Sequence, residues 1–201
     1  MPVDSSLKQE NHLIGYEIRC PLEKARIVRD LEQKMTFIHS FDPIVDDNSR
    51  VLILGSVPGK ISLEKGEYYA HPSNTFWKLI YSIFGAQIDQ TYEEKKSFLK
   101  SKKIALWDVI KECDRSGSSD SKIINSIIND FEGLLARYPN IRYILFNGKK
   151  AESLFKRNAV NITKYQIILF TSPSSSPANA SISINNKIET WSKIKELADI
   201  F

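Results

Sequence analysis

Residues 50–56 read "RVLILGS": four aliphatic residues in a row, closed by Gly55 and Ser56. The run is too short for a helix and does not alternate apolar with polar, as a half-exposed strand would. It reads instead as a strand buried on both faces, the usual state of a strand in a parallel sheet. Three later runs share the pattern: "KIALWDV" (103–109), "IRYILFNG" (141–148) and "YQIILFTS" (165–172). Helical patterns fall between and after them, near 74–85, 91–101, 121–137, 149–158 and 180–200. Strands alternating with helices predict an α/β fold, a three-layer α/β/α sandwich around a small four-stranded parallel sheet.

The runs all end in small or polar residues: Gly55-Ser56, Asp108, Asn147-Gly148 and Thr171-Ser172. Ligands of open α/β sheets bind outside the carboxyl ends of the strands, so these ends are expected around one cleft. The remainder of the 201-residue chain sets bounds. Residues 1–34 look like an extension to a domain spanning 35–201, with "CPLEKARIVRDLEQKM" (20–35) as an amphipathic helix carrying Ile27, Val28, Leu31 and Met35. A hydrophobic share of 42% supports a core, and the net charge of +4 permits nucleic-acid binding without demanding it. Two distant cysteines, Cys20 and Cys113, make neither a disulfide framework nor a zinc motif. The three histidines show no metal spacing, so no metal and no cofactor is expected. Without a signal-like start or a long apolar run, the chain reads as a soluble cytoplasmic protein with no membrane partner.

The first strand runs into "GSVPGK", Gly55 to Lys60. Only three residues separate the first Gly from the Gly-Lys pair and Ile61 follows, so this is no P-loop; Ser56 adjoins Gly55, so it is no nucleophile elbow either. What remains is a turn, either plain or offering backbone N–H groups to an electron-rich ligand. Downstream, "YYAHPSNTFW" (68–77) puts two tyrosines and His71 before a helix start. Asn74 there suits a helix cap or a ligand contact. Asp108 closes an otherwise apolar run, where a carboxylate is costly unless it is paired or used. It could also cap the following "VIKEC" segment. "GSSDSKI" (117–123) reads as a turn and helix start. "TSPSSSPANAS" (171–181) is either a flexible linker or a loop whose hydroxyls and free amides suit phosphate, with Ser176 as cap and Pro177 at the first helical position.

Taken in order, "LILGSVPG", "YYAHPSNTFW", "ALWDVIKECDRSGSSD", "FNGKKA" and "SPSSSPANA" resemble the uracil-DNA glycosylase superfamily, and within it the hypoxanthine-DNA glycosylase branch, over roughly Phe37 to Trp191. Each block alone is weak; their succession is specific. The resemblance implies a DNA repair enzyme that flips a deaminated base from DNA and hydrolyses its N-glycosidic bond as a monomer. In mismatch-specific uracil and thymine glycosylases the first motif looks like G-I-N-P-G, and its Asn positions the attacking water. Val57 occupies that place here and cannot do so. The catalytic amide implied by the hypoxanthine branch is Asn74. Tyr69 matches a base-stacking aromatic, and Asp108 falls where relatives place a base-reading Asn. The base pocket then comprises Gly55, Ser56, Val57, Pro58, Gly59, Tyr69, His71 and Asp108. Ser174, Ser175, Ser176, Pro177, Ala178 and Asn179, with Lys149, would grip and wedge the DNA. Two alternatives stand beside this reading: a uracil- or mismatch-specific glycosylase, and a catalytically silent DNA-binding module on the same scaffold.

Overall fold

A computed structural model describes residues 35–116, 123–158 and 162–199. The expected extension 1–34 and most of the "GSSDSKI" turn lie outside the described residues; Met35, expected on the extension's helix, instead opens the strand β1, Met35–His39. The elements are β1 (Met35–His39), β2 (Val51–Gly55), α1 (Lys60–Lys65), α2 (Phe76–Phe84), α3 (Tyr92–Ser101), β3 (Ile104–Asp108), β4 (Ile110–Ser116), β5 (Ile123–Ile128), α4 (Phe131–Arg137), β6 (Tyr143–Asn147), α5 (Lys149–Arg157), β7 (Ile168–Ser172), α6 (Ile184–Trp191) and α7 (Lys193–Asp199).

The four apolar runs form one sheet in the order β3-β2-β6-β7, with every neighbouring pair parallel. Leu54 sits opposite Trp107 on one side and Phe146 on the other. Val51 to Leu54 are fully buried, as helices flank the sheet. Truncating Ile53 to Ala at the centre of this core would cost about 2–5 kcal/mol. The order matters for function. From β2 the chain passes to β3 on one side, and later to β6 and β7 on the other. The crevice opens between β2 and β6, the switch point at which open parallel sheets bind ligands.

Three expectations are corrected. The segment 121–137 is not one helix: β5 precedes α4, and β5 pairs antiparallel with β4, which is itself the "VIKEC" stretch. Together with β1 they form a second sheet in the order β1-β4-β5. "IINSII" repeats apolar residues at a spacing close to helical. However, its β-branched isoleucines suit a strand once β4 offers a partner edge. The fourth apolar run is not buried on both faces. β7 is the sheet's edge, leaving Ile168 and Leu169 exposed, while Lys193 Nζ lies 4.4 Å above the Phe170 ring. Finally, the helix near 180–200 is two helices, α6 and α7, that follow a short 3₁₀ turn at Pro177–Asn179; Ser183 caps the start of α6 by accepting from Asn186 N at 3.2 Å.

Candidate active site

The carboxyl ends of the parallel strands open into a cleft of about 610 Å³. Gly55 to Gly59, Tyr69, His71, Asn74, Asp108, Lys149 and Ser174 to Ala178 all line it. Of the residues singled out in the sequence, Asn179 alone does not.

The Gly turn is held from outside. Gly55 and Ser56 carbonyls accept from Val109 N at 2.9 Å and Ile110 N at 3.0 Å, and the buried Arg115 donates from Nη1 to the Pro58 carbonyl at 2.8 Å. With these carbonyls engaged by protein, what the turn can offer a ligand is its amide side. Gly55 also has no room for a side chain: a Cβ there would collide with Asp108 Oδ1 and lie 2.9 Å from Tyr69 Oη. The missing methyl therefore brings a carboxylate, a phenol and a backbone turn to one point.

Asp108 is 3% exposed. Its Oδ2 accepts from Ser40 Oγ at 3.0 Å, and its backbone carbonyl accepts from Asn129 Nδ2 at 2.8 Å. The carboxylate is thus fixed in orientation at the floor of the cleft and does not cap the next element, which is the strand β4. Tyr69 adopts φ +56, a left-handed conformation unusual for a bulky residue. That strained backbone lays its ring on Phe76, with centroids 4.0 Å apart and planes 20° apart. Its hydroxyl accepts from Asn147 Nδ2 at 3.0 Å. Tyr68, by contrast, is core: its hydroxyl donates toward the carbonyls of Phe41 and Asp42, and Trp77 Nε1 donates to its carbonyl at 3.0 Å. Burial, and then the neighbouring Asp108 charge, hold the Tyr68 phenol well above its usual range, so it stays neutral.

Asn74 lines the cleft and closes an Asx turn just before α2, whose N-cap is Thr75. Its Oδ1 accepts from Phe76 N at 2.9 Å at the start of α2. This bond fixes the plane of the amide and directs its NH₂ end elsewhere; no partner of that end is found among the described residues. A locked amide is a better device for orienting a ligand than a mobile one. His71 is exposed, and its Nδ1 accepts from Ser73 N at 3.1 Å, so it shapes this turn.

Two site residues were missed. Ser40, beyond β1, becomes visible only when β1 lies alongside β4. Asn147 was noted as a strand end but given no role. Its Nδ2 donates to Tyr69 Oη and, at 2.9 Å, to Ser175 Oγ, while its Oδ1 accepts from Ser175 N at 2.8 Å. The signal was its position at the carboxyl end of β6, just before Gly148, whose φ of +99 and contact with Ser174 leave no space for a Cβ.

Two residues of the Ser/Pro loop are engaged within the protein. Ser175 lines the cleft but is fully buried, with its carbonyl accepting from Thr75 N and Oγ1 and its hydroxyl from Asn147, so it anchors the loop. Asn179 spends its side-chain amide on the Ser174 carbonyl at 3.1 Å. Ser176 does cap the 3₁₀ turn with Pro177 in its first positions, and Pro177 and Ala178 stand exposed. The loop is therefore ordered by at least five hydrogen bonds to its surroundings or itself, the opposite of a flexible linker. Among the described residues no three His, Cys, Asp or Glu side chains gather as a metal site requires, and no helix is long and apolar enough to cross a membrane.

An α/β sheet with its cleft at this switch point, a Gly-Pro turn, a stacking aromatic and a Ser/Pro loop define a class. A family model of the uracil DNA glycosylase superfamily matches residues 43–195, and the chain belongs to that superfamily. It is 42% identical over 158 residues to a hypoxanthine DNA glycosylase of Methanosarcina acetivorans, covering 77% of this chain and 95% of the relative. It is 46% identical over 112 residues to a hypoxanthine DNA glycosylase of Methanosarcina barkeri, covering 55% of this chain and 71% of that one. The solution NMR structure of a candidate uracil DNA glycosylase from Methanosarcina acetivorans superposes with a TM-score of 0.70 at 38% identity, over 81% of this chain and 99% of the other.

Proposed function

We propose that this protein is a monofunctional DNA-deoxyinosine glycosylase, which removes hypoxanthine from DNA and leaves an abasic site. One observation carries the reading. Tyr69, Asp108 and Asn74 face the same cleft, while the water-orienting position in the Gly turn is held by Val57. The two relatives named hypoxanthine DNA glycosylases support the same substrate.

The C1′–N9 bond is out of reach in a stacked duplex, so the nucleotide is first extruded, at a cost that is smallest for a mispaired base. Tyr69, backed by Phe76, stacks on the flipped purine. Asp108, oriented by Ser40, accepts the N1–H of hypoxanthine. Adenine has a lone pair at N1 and is repelled by the same carboxylate, which is discrimination through an unpaired acceptor. As C1′–N9 lengthens, the sugar becomes oxocarbenium-like and negative charge collects on the base, where the amides of the Gly55–Gly59 turn can donate. Asn74 orients the water that attacks C1′; its hydroxide part joins the sugar and the proton ends on the departing base. Asn is too weak a base to do more than orient and polarise. Ser174, Ser176, Pro177 and Ala178 hold the opened duplex, with Lys149 beside a phosphate. The chemistry needs no metal or cofactor and is complete in one copy of the chain.

The test uses matched duplexes carrying one hypoxanthine, one uracil or neither, treated with alkali after incubation to cut abasic sites, with Asn74→Ala alongside. Cleavage of the hypoxanthine duplex, lost in the variant, is the expected outcome. Preferential cleavage at uracil would overturn the substrate assignment and favour the uracil-specific alternative. DNA binding without cleavage of either would favour the silent module.

A further inference from the structure

The loop after β7 is held from beneath by one face of α6. Lys187 and Trp191 lie four residues apart, hence on the same side of that helix. Lys187 Nζ donates to the Asn179 carbonyl at 2.9 Å, and Trp191 Nε1 donates to the Pro173 carbonyl at 2.9 Å. These two bonds pin both ends of the loop that lines the cleft.

The two pins differ in kind. Trp191 is fully buried, and an indole with its N–H satisfied is ordinary core. Lys187 is only 3% exposed, yet it carries a charge. Burying an ammonium is costly unless an anion accompanies it. The Asn179 carbonyl takes one of its three protons, and no carboxylate lies within ion-pair distance of it among the described residues. Burial alone holds its ammonium below the usual lysine range. A residue with the same stem and no charge would support the loop at lower cost.

We propose that Lys187 is a positioning residue for DNA: it fixes the far end of the 173–179 loop, and its buried charge is completed by a phosphodiester of the bound strand. The inference rests on reading this loop as the DNA-gripping element. A cation that is 3% exposed is screened less than a surface lysine, so its field acts more strongly on a phosphate held by the loop it supports.

A phosphate neutralised by this charge releases its condensed counterion, and each such contact contributes about 0.9 to the slope of log K against log salt. Binding of an undamaged duplex is measured by fluorescence anisotropy between about 50 and 200 mM NaCl, for the wild type, Lys187→Gln, Lys187→Met and Lys187→Arg. Gln keeps a donor for the Asn179 carbonyl without the charge, so it remains informative if Met disturbs folding. The expected result is a slope lower by about 0.9 in Gln and Met, restored by Arg. A slope unchanged in Gln would reduce Lys187 to a strut and overturn the proposal. If the wild type itself binds duplex without salt dependence, the loop is not a DNA grip, and both readings fail together. Excision of hypoxanthine is scored separately, so a wrong lesion leaves the slope test intact.

Discussion

Substituting Gly55 by alanine tests the geometry on which the site depends. A Cβ at this position would collide with Asp108 Oδ1 and approach Tyr69 Oη to 2.9 Å. Neither neighbour yields easily. Asp108 is buried and bonded to Ser40, and Tyr69 is wedged between Phe76 and Asn147 in a left-handed conformation. Overpacking of this kind costs about 1–3 kcal/mol. At about 2 kcal/mol a domain of this size loses about 4–8 °C in Tm. The activity should suffer more. Moving a carboxylate or a stacking ring by about 1 Å costs about a hundredfold in rate, because the flipped base is no longer in line with Asn74. Gly59→Ala is the control: nothing lies within 4 Å of a Cβ there, and its φ of −72 suits any residue. The assays are thermal melting and single-turnover excision from a hypoxanthine duplex. Gly55→Ala with wild-type rate would refute the placement of the base at this point. Equal damage from Gly59→Ala would show that backbone freedom in the turn, and not the collision, is what matters.

The other predictions are as follows. Asp108→Asn removes a charged acceptor and should lower hypoxanthine excision by about 1.5–3 kcal/mol, roughly ten- to a hundredfold, while narrowing the preference over adenine; an unchanged preference would remove Asp108 from base reading. Tyr69→Phe leaves one buried N–H of Asn147 without its phenol, a loss of about 1–3 kcal/mol in stability, but keeps the stacking face. Its kcat should therefore fall less than that of Tyr69→Leu, and the reverse order would be inconsistent with stacking. Thr91 and Glu94 form a capping box at the start of α3, so Thr91→Ala should cost about 1 kcal/mol in a urea melt. The backbone N–H of Thr91 first, and its hydroxyl second, lower the Glu94 carboxyl below its usual value. A lowered folded value means a benefit present at neutral pH and lost as pH falls through the carboxylate range; the Tm difference between wild type and Glu94→Ala should shrink there, and a difference constant down to acid pH would count against the box.

Much of the fold was legible because parallel strands leave a dense local mark. "VLIL", "IALW", "YILF" and "IILF" are apolar on both faces, and their small or polar final residues announce a cleft. Where local pattern and tertiary pairing competed, the pattern misled. "IINSII" repeats like a helix, but β4 supplied an edge that captured it as a strand. "YQIILFTS" resembles the inner strands, yet its place at the sheet's edge leaves Ile168 and Leu169 in solvent.

The site divides the same way. Gly55, Tyr69, Asn74 and Asp108 were identified from residue type, position at an element's end and resemblance to a family, all of them properties of a linear string. Sequence alone therefore determined the α/β class, the superfamily and the stretch that lines the cleft. Only the tertiary structure decided how those residues are held. Ser40 reaches Asp108 across 68 residues, Asn147 joins Tyr69 to Ser175 across 78 and 28, and Arg115 supports Pro58 across 57. Such bonds have no local signature, because a serine, asparagine or arginine is chosen for a partner that the chain meets only after folding. The same reason applies to Ser175: the sequence shows only a hydroxyl, and the packing of β6 against the loop gives that hydroxyl to Asn147.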